Sequence, residues 1–418
     1  MGAARDPVLK REIGLFGATA LGIGAIVGSG IFIVTGIVAG IAGPAMILSV
    51  IIAGFIAIFS ALSVAELGAF LPVEGGTYVY ARDLVSPLAG FLAGWIWIVS
   101  NIFVGAAVSL GFAHYCVTFL PWVPVNLIAA CICFLFLGIN YGGLKESVVF
   151  NNLLVVVKVL ILLFFVLFAA GFLRPGNFMP FAPAGPTGIL GGAALIFFAY
   201  TGFARVTIMA EEVQDPVRTI PRSIYLALGI STLLYLLVSA AAVGLAGAPA
   251  LAGSGSPLAD AMAVTASPGA VAIVSLGAMV ATASVLLTTI LGISRIVFSM
   301  ARNQDLPGMF GRIHPRFGTP HYALAITGAG MIASLLLADL TLVVSVSTFA
   351  MLLYYLLANI AALRLPAAHR LYPSWVPALG ALSCAGLVVF LTPVSWIVGG
   401  ACLLSGLAWY LFRKRAVV

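Results

Sequence analysis

Charge is what this chain has least of. Lys, Arg, Asp and Glu make up 7% of its 418 residues, where a soluble domain carries about a quarter. So sparse a polar surface excludes an ordinary soluble protein. Acidic residues number 12, histidines 4 and cysteines 5. The cysteines (Cys116, Cys131, Cys133, Cys384 and Cys402) fall in or beside apolar runs, without the spacing of metal ligands. They read as small core residues, not as a disulfide framework. Also missing are a G-x-S-x-G elbow, a Walker loop, an H-E-x-x-H helix and paired catalytic carboxylates. With nothing to run a covalent reaction, an enzyme is not expected, nor is a cofactor or metal. The first apolar run is too long for a cleavable leader and lacks a small-residue cleavage site, so none is expected.

What fills the chain is hydrophobic sequence. Apolar residues make up 63%, and mean hydropathy is +1.21. This composition predicts an all-α polytopic membrane protein in one domain over 1–418, with the lipid bilayer as its surroundings. Twelve apolar spans are legible, near 13–40, 44–70, 86–119, 123–140, 148–172, 188–213, 222–246, 268–300, 319–338, 340–365, 375–392 and 394–412. The third and eighth exceed the bilayer and are expected to tilt. With the N-terminus cytoplasmic, every Lys and Arg except Arg174, Lys158 and Arg205 falls on the inner side. That bias predicts cytoplasmic N- and C-termini. It also accounts for the net charge of +7 without nucleic acid.

Two spans look broken. Gly22, Gly24, Gly28 and Gly30 crowd the first, and glycine costs roughly 1 kcal/mol per helix position against alanine. Freed backbone groups in hydrocarbon need partners. On this stretch alone, a break offering amides to an anion competes evenly with a close-packed small-residue helix face. The sixth span holds Gly191-Gly192 and, further on, Phe197-Phe198-Ala-Tyr-Thr-Gly-Phe203. Spans one and six correspond if the first ten form two repeats of five, 13–172 and 188–365, with 375–412 added. An odd span number inverts the second repeat, and matched breaks in two halves point to a transporter's site. Ile26, Gly28, Ser29 and Gly30 would meet an anionic group. Carbonyls of Phe198, Ala199 and Thr201 would meet a cationic one. A ligand with a carboxylate and an ammonium on one carbon fits that pair.

Lys158 is the most informative charge. It lies about ten residues from the inner end of its span, roughly 14 Å deep, where the half-thickness of hydrocarbon is about 15 Å. A group so placed is a functional candidate by default. It either exchanges a proton or stands as a fixed charge bracing two helices. Arg205, nearer the inner end, either snorkels or pairs locally, or sits under the substrate and repels cationic side chains. Glu66 is expected to pair with a basic residue of the inner vestibule, as part of a gate. Trp97, Asn101 and Phe103 lie in span three, which would flank the site; Asn101 is a candidate substrate-binding group and, as a mid-span polar residue, needs a partner, though packing is the commoner role of such residues. Thr282 and Ser284 are hydroxyls within reach of Lys158, or simple packing residues.

Four stretches together resemble the amino acid–polyamine–organocation superfamily of amino acid permeases. They are Gly22-Ile-Gly-Ala-Ile-Val-Gly-Ser-Gly-Ile-Phe32; Ala65-Glu66-Leu-Gly-Ala-Phe-Leu-Pro72 with Gly75-Gly76-Thr-Tyr78-Val-Tyr80; Phe197 to Phe203 with Glu211-Glu212-Val-Gln-Asp215-Pro216 and Ile220-Pro221-Arg222; and Ser294-Arg295 through Arg302 with Asp305-Leu-Pro307. The resemblance covers nearly the whole chain. It implies the five-plus-five inverted-repeat fold of the leucine transporter, with broken helices 1 and 6 and two added C-terminal helices. It implies that Ser29 and Gly30 bind the substrate carboxylate. Main-chain oxygens of Phe198, Ala199 and Thr201 would bind its amine, and Phe198 would act as an aromatic gate. Lys158 matches the fifth-helix lysine of proton-coupled prokaryotic members, with Gly24 and Ser284 as its neighbours. Cationic-amino-acid-transporter-like members often carry an acid just after the Gly-Phe of helix six. Here Ala204 and Arg205 follow, which argues against a cationic cargo. Cys116 lies near where light-chain members bond a heavy chain; no other sign of that partner exists here.

The function expected is amino acid transport across the plasma membrane, with a proton as co-substrate and neutral amino acids favoured. The alternatives are an amino acid exchanger, a carrier of another small amine, and a channel or substrate-sensing receptor on the same scaffold.

Overall fold

The computed structural model describes residues 13–71, 75–143, 148–204 and 213–417, apart from the side chains of 148–152 and 415–417. The described chain is built of helices: α1 (Leu15–Ile26), α2 (Ser29–Ala42), α3 (Met46–Phe70), α4 (Thr77–Leu84), α5 (Pro87–Cys116), α6 (Val125–Tyr141), α7 (Val148–Ala169), α8 (Gly185–Tyr200), α9 (Pro216–Ala246), α10 (Ala248–Leu251), α11 (Pro257–Ala263), α12 (Pro268–Arg302), α13 (His321–Leu337), α14 (Leu340–Leu363), α15 (Trp375–Val389) and α16 (Pro393–Val417).

Among the described residues, eight apolar helical runs are long enough to cross a bilayer: 29–70, 87–116, 153–172, 185–204, 216–246, 268–302, 340–363 and 393–414. Four shorter apolar helices accompany them: α1, α6, α13 and α15. The run 29–70 is α2 and α3 joined by a 3-10 turn at Gly43–Ala45, where Gly43 takes φ 63°.

Hydrophobicity is distributed as a bundle in lipid requires. Residues of α2 are buried almost throughout, as is α8 from Gly191 to Tyr200, and α5 is buried along most of its length. Along α7, Leu153, Val156, Leu160 and Leu167 are exposed on one side while Val155, Lys158, Leu162 and Phe165 are buried on the other. An apolar exposed face costs nothing in a bilayer, so it marks the perimeter of the bundle. The core lies where α2, α5, α8, α9, α12 and α14 meet.

The cysteines follow this division. Cys116, Cys133 and Cys384 are buried, Cys402 is intermediate, and Cys131 faces outward; all five are free thiols. Cys131 therefore departs from the expectation of a core residue. It lies on the outer face of α6 beside exposed Phe134 and Leu135.

Asp305 ties three helix ends together. Its carboxylate accepts from Tyr78 at 2.6 Å and from Arg82 at 3.3 Å, and it pairs with Arg413. Its carbonyl accepts from the Trp409 indole at 3.0 Å. The cluster joins α4, the segment after α12, and α16. Burial, and then the hydrogen bond to Asp305, pushes the Tyr78 phenol up to about 12, so it stays a donor.

Candidate functional site

The helical ladder stops after Ile26. Val27 takes φ −74° and ψ 68°, and Gly28 takes φ −110° and ψ −142°, before α2 begins at Ser29. The Gly28 amide turns back onto the Ile26 carbonyl at 2.7 Å. First-turn amides of α2 have no carbonyl of their own helix to bond, and they carry the positive end of its dipole.

The second interruption follows Tyr200, where α8 gives way to a 3-10 turn at Thr201–Ala204. The amide and hydroxyl of Thr201 both donate to the Phe198 carbonyl, the hydroxyl at 2.9 Å.

The two interruptions meet backbone to backbone. A Cβ at Gly30 would stand 2.5 Å from Ala199 Cα. A Cβ at Gly202 would run into the Ala25 carbonyl, 2.6 Å from the Ile26 amide nitrogen. Only glycine allows both approaches.

Two tyrosines hold the junction. Tyr235 of α9 lies 2.6 Å from the Ile26 carbonyl and 3.0 Å from the Ala199 carbonyl. Its single phenolic proton serves one oxygen from each interruption. Tyr355 of α14 donates to the Thr201 carbonyl at 2.7 Å. Both were missed in the sequence. A signal existed: each is a tyrosine inside an apolar run, and a phenol buried there must find an acceptor.

A second meeting point adjoins the first. A Cβ at Gly24 would run into Val155 of α7, and one at Gly28 would stand 2.7 Å from Val285 of α12. Lys158, 1% exposed, lies three residues after Val155 and donates to Ser284 of α12 at 3.0 Å. Gly24, Gly28, Lys158 and Ser284 are thus gathered where α1, α7 and α12 touch. The junction is closed to solvent: Ser29 is 3% and Phe198 5% exposed. A hollow of about 340 Å³ beside His114, Asn126 and Asp339 does not reach it.

Other candidates stand elsewhere or bond differently. Asn101 donates to its own helix, to the Trp97 carbonyl at 2.9 Å. Thr282 also bonds backward, to the Ala278 carbonyl at 2.7 Å, leaving Ser284 as the hydroxyl on Lys158. Glu66 corrects an expectation. Its carboxylate accepts from the backbone amides of Leu371 and Tyr372, at 2.6 and 3.2 Å, in the link between α14 and α15. The nearby Arg370 side chain turns to the Leu363 and Leu365 carbonyls at the end of α14. A buried carboxylate and unpaired link amides satisfy each other, and the arginine caps a helix instead. Arg205, with Glu211 and Glu212, lies outside the described residues.

Comparison with known proteins places this architecture. The amino acid permease family model matches residues 13–411. The chain belongs to the amino acid permease family. An uncharacterized transporter of Mycobacterium tuberculosis is 35% identical over 97% of this chain and 92% of its own length. The branched-chain amino acid permease BcaP of Bacillus subtilis is 32% identical over 97% of this chain and 94% of its own. The methylthioribose transporter of Bacillus subtilis is 32% identical over 99% and 95%. Family membership bears out the resemblance to the amino acid–polyamine–organocation superfamily. It makes this permease a multi-pass membrane transporter of amino acids, and not an enzyme.

Proposed function

We propose that this permease carries a neutral amino acid together with a proton across the plasma membrane, by alternating access. The observation that carries this is the meeting of the α2 N-terminus with the carbonyls after α8, at Gly30 and Ala199. Amides at Ser29 and Gly30 suit a carboxylate. The Ala199 and Thr201 carbonyls, each held by a tyrosine hydroxyl, suit an ammonium. Phe198, buried beside them, is the aromatic gate.

A neutral side chain fits the surroundings. Among the described residues, Asp83, Asp215, Asp260, Asp305 and Asp339 stand in α4, loops or helix ends. Glu66 is committed to link amides. None is left to pair with a cationic cargo at the junction.

Among the described residues we read α1 with α2 as one interrupted crossing, α3 as the next, and α5, α6, α7, α8, α9, α12, α13, α14, α15 and α16 as ten more. We read the first ten as two inverted repeats, 13–172 and 188–365, with both termini cytoplasmic. Lys158 then couples the proton, moving between Ser284 and the end of α1.

Uptake into proteoliposomes tests the proposal. Labelled leucine should accumulate when an inward proton gradient is imposed, and saturate with concentration. Flux that ignores the gradient but requires internal amino acid would mean exchange. One relative is named for methylthioribose and another for branched-chain amino acids, so both compounds belong in the competition panel. Inhibition by methylthioribose alone would overturn the amino acid assignment.

A further inference from the structure

We infer that Tyr355 is a positioning residue for the ammonium half of the site, acting through the Thr201 carbonyl. It has this role only if the chain binds an amino acid as proposed above. The ring of Tyr355 is wedged between the two sides of the second interruption. Phe197, in the last turn of α8, meets it edge-on, with centroids 5.7 Å apart and planes at 84°. Phe203, in the 3-10 turn, lies against it at 4.8 Å and 35°. From this wedge the hydroxyl reaches Thr201. The ring is 1% exposed, so its torsions are set by packing on both faces.

The tyrosine is itself fixed from behind. Its carbonyl accepts from the Asn359 amide at 2.8 Å. That amide donates its other hydrogen to Ser60 at 3.1 Å, and its oxygen accepts from Ser63 at 2.7 Å. Gly380 of α15 closes over the Asn359 side chain, where a Cβ would overlap it. Both donors and the acceptor of Asn359 are used. A buried network so satisfied holds one geometry.

The consequence is specific. Carbonyls at a helix end lack part of the helical ladder and take their remaining donors from elsewhere in the fold. The Tyr355 hydroxyl adds a second, tertiary donor to the Thr201 carbonyl and ties its direction to α14. The Tyr355 hydroxyl reaches the Thr201 carbonyl, which belongs to the acceptor half of the site, and it is on that half that it acts. Tyr235, which binds one carbonyl from each interruption, does not separate the halves in this way.

The test uses the full-length protein in nanodiscs, with three probes. L-leucine presents both charged groups, leucinamide only the ammonium, and 4-methylpentanoate only the carboxylate. Tyr355→Phe keeps the ring and its packing. It should weaken leucine and leucinamide by about the same factor, on the order of tenfold for one hydrogen bond. Binding of 4-methylpentanoate should stay within twofold. Asn359→Ala, which leaves the hydroxyl in place, should move the same two probes in the same direction by a smaller factor. Equal weakening of all three probes, or of none, overturns the positioning role while leaving the amino acid site standing. Wild-type protein that binds neither leucine nor leucinamide overturns the site itself.

Discussion

The interruption after Ile26 and the one after Tyr200 touch at Gly30 and Ala199, yet they present opposite groups. The first ends on the start of a helix, so amide hydrogens face the junction. The second ends on the close of a helix, so carbonyl oxygens face it. The first is held by close packing of glycine against its neighbours, with one hydroxyl, Tyr235, on the Ile26 carbonyl. The second is held by hydroxyls throughout: Thr201 on Phe198, Tyr235 on Ala199 and Tyr355 on Thr201. Carbonyls in an apolar interior need donors, and water is absent there. Amides aimed at a ligand must remain open. The asymmetry predicts that the carbonyl side is sensitive to loss of hydroxyls and the amide side to added bulk.

Bulk should have the largest effect. Gly30→Leu places atoms against Ala199 Cα, and Gly202→Val places them against the Ala25 carbonyl. Backbone cannot rotate aside, and overpacking of this kind costs about 1–3 kcal/mol or more. Gly30→Leu should abolish leucine binding in protein that still elutes as a single species. Gly202→Val should also lower the thermal midpoint. Gly28→Ala, which meets the rotatable Val285 side chain, should retain measurable uptake. Equal loss in all three would erase the distinction between backbone and side-chain contact.

Removing the charge at the neighbouring meeting point comes next. Lys158→Met keeps the volume of the stem and deletes the donor to Ser284. Uptake driven by an inward proton gradient should fall to the rate without one, with leucine binding retained. A mutant that still responds to the gradient would assign Lys158 to bracing.

Hydroxyl loss should be smaller. Tyr235→Phe leaves Ile26 and Ala199 without their shared donor. A buried unsatisfied acceptor costs about 1–3 kcal/mol, so the KM for leucine should rise about tenfold, readable from initial uptake rates. The smallest effect belongs to Ser29→Ala. If backbone amides hold the carboxylate, KM should change by less than about threefold. A loss as large as that of Tyr235→Phe would make the serine hydroxyl a ligand in its own right.

Much of this was legible in the residues. Apolar runs located the helices, because hydrocarbon leaves the backbone few other ways to satisfy itself. Glycine clusters at 22–30 and 191–202 located both interruptions. The depth of Lys158 singled it out, and Ser284 was named as its partner. What sequence reasoning misjudged was pairing. Glu66 was expected to meet a basic side chain and meets two link amides. Thr282 instead follows its packing alternative, and Asn101 meets the mid-span partner expected of it, the Trp97 carbonyl. Tyr235 and Tyr355 drew no notice, since a tyrosine in an apolar run looks the same whether it braces a site or a remote turn.

Local chemistry therefore determined where the chain is helical, where it breaks and which charge lies deep in the bilayer. These depend on composition over a turn or two, and a bilayer leaves few alternatives. Only the tertiary structure decided which broken end faces which, and that a hydroxyl from α9 and another from α14 complete the junction. Those contacts join residues 26 and 235, 199 and 235, and 201 and 355. A hydrogen bond is set by ångström-scale geometry between helices distant in sequence, and no local pattern encodes that distance.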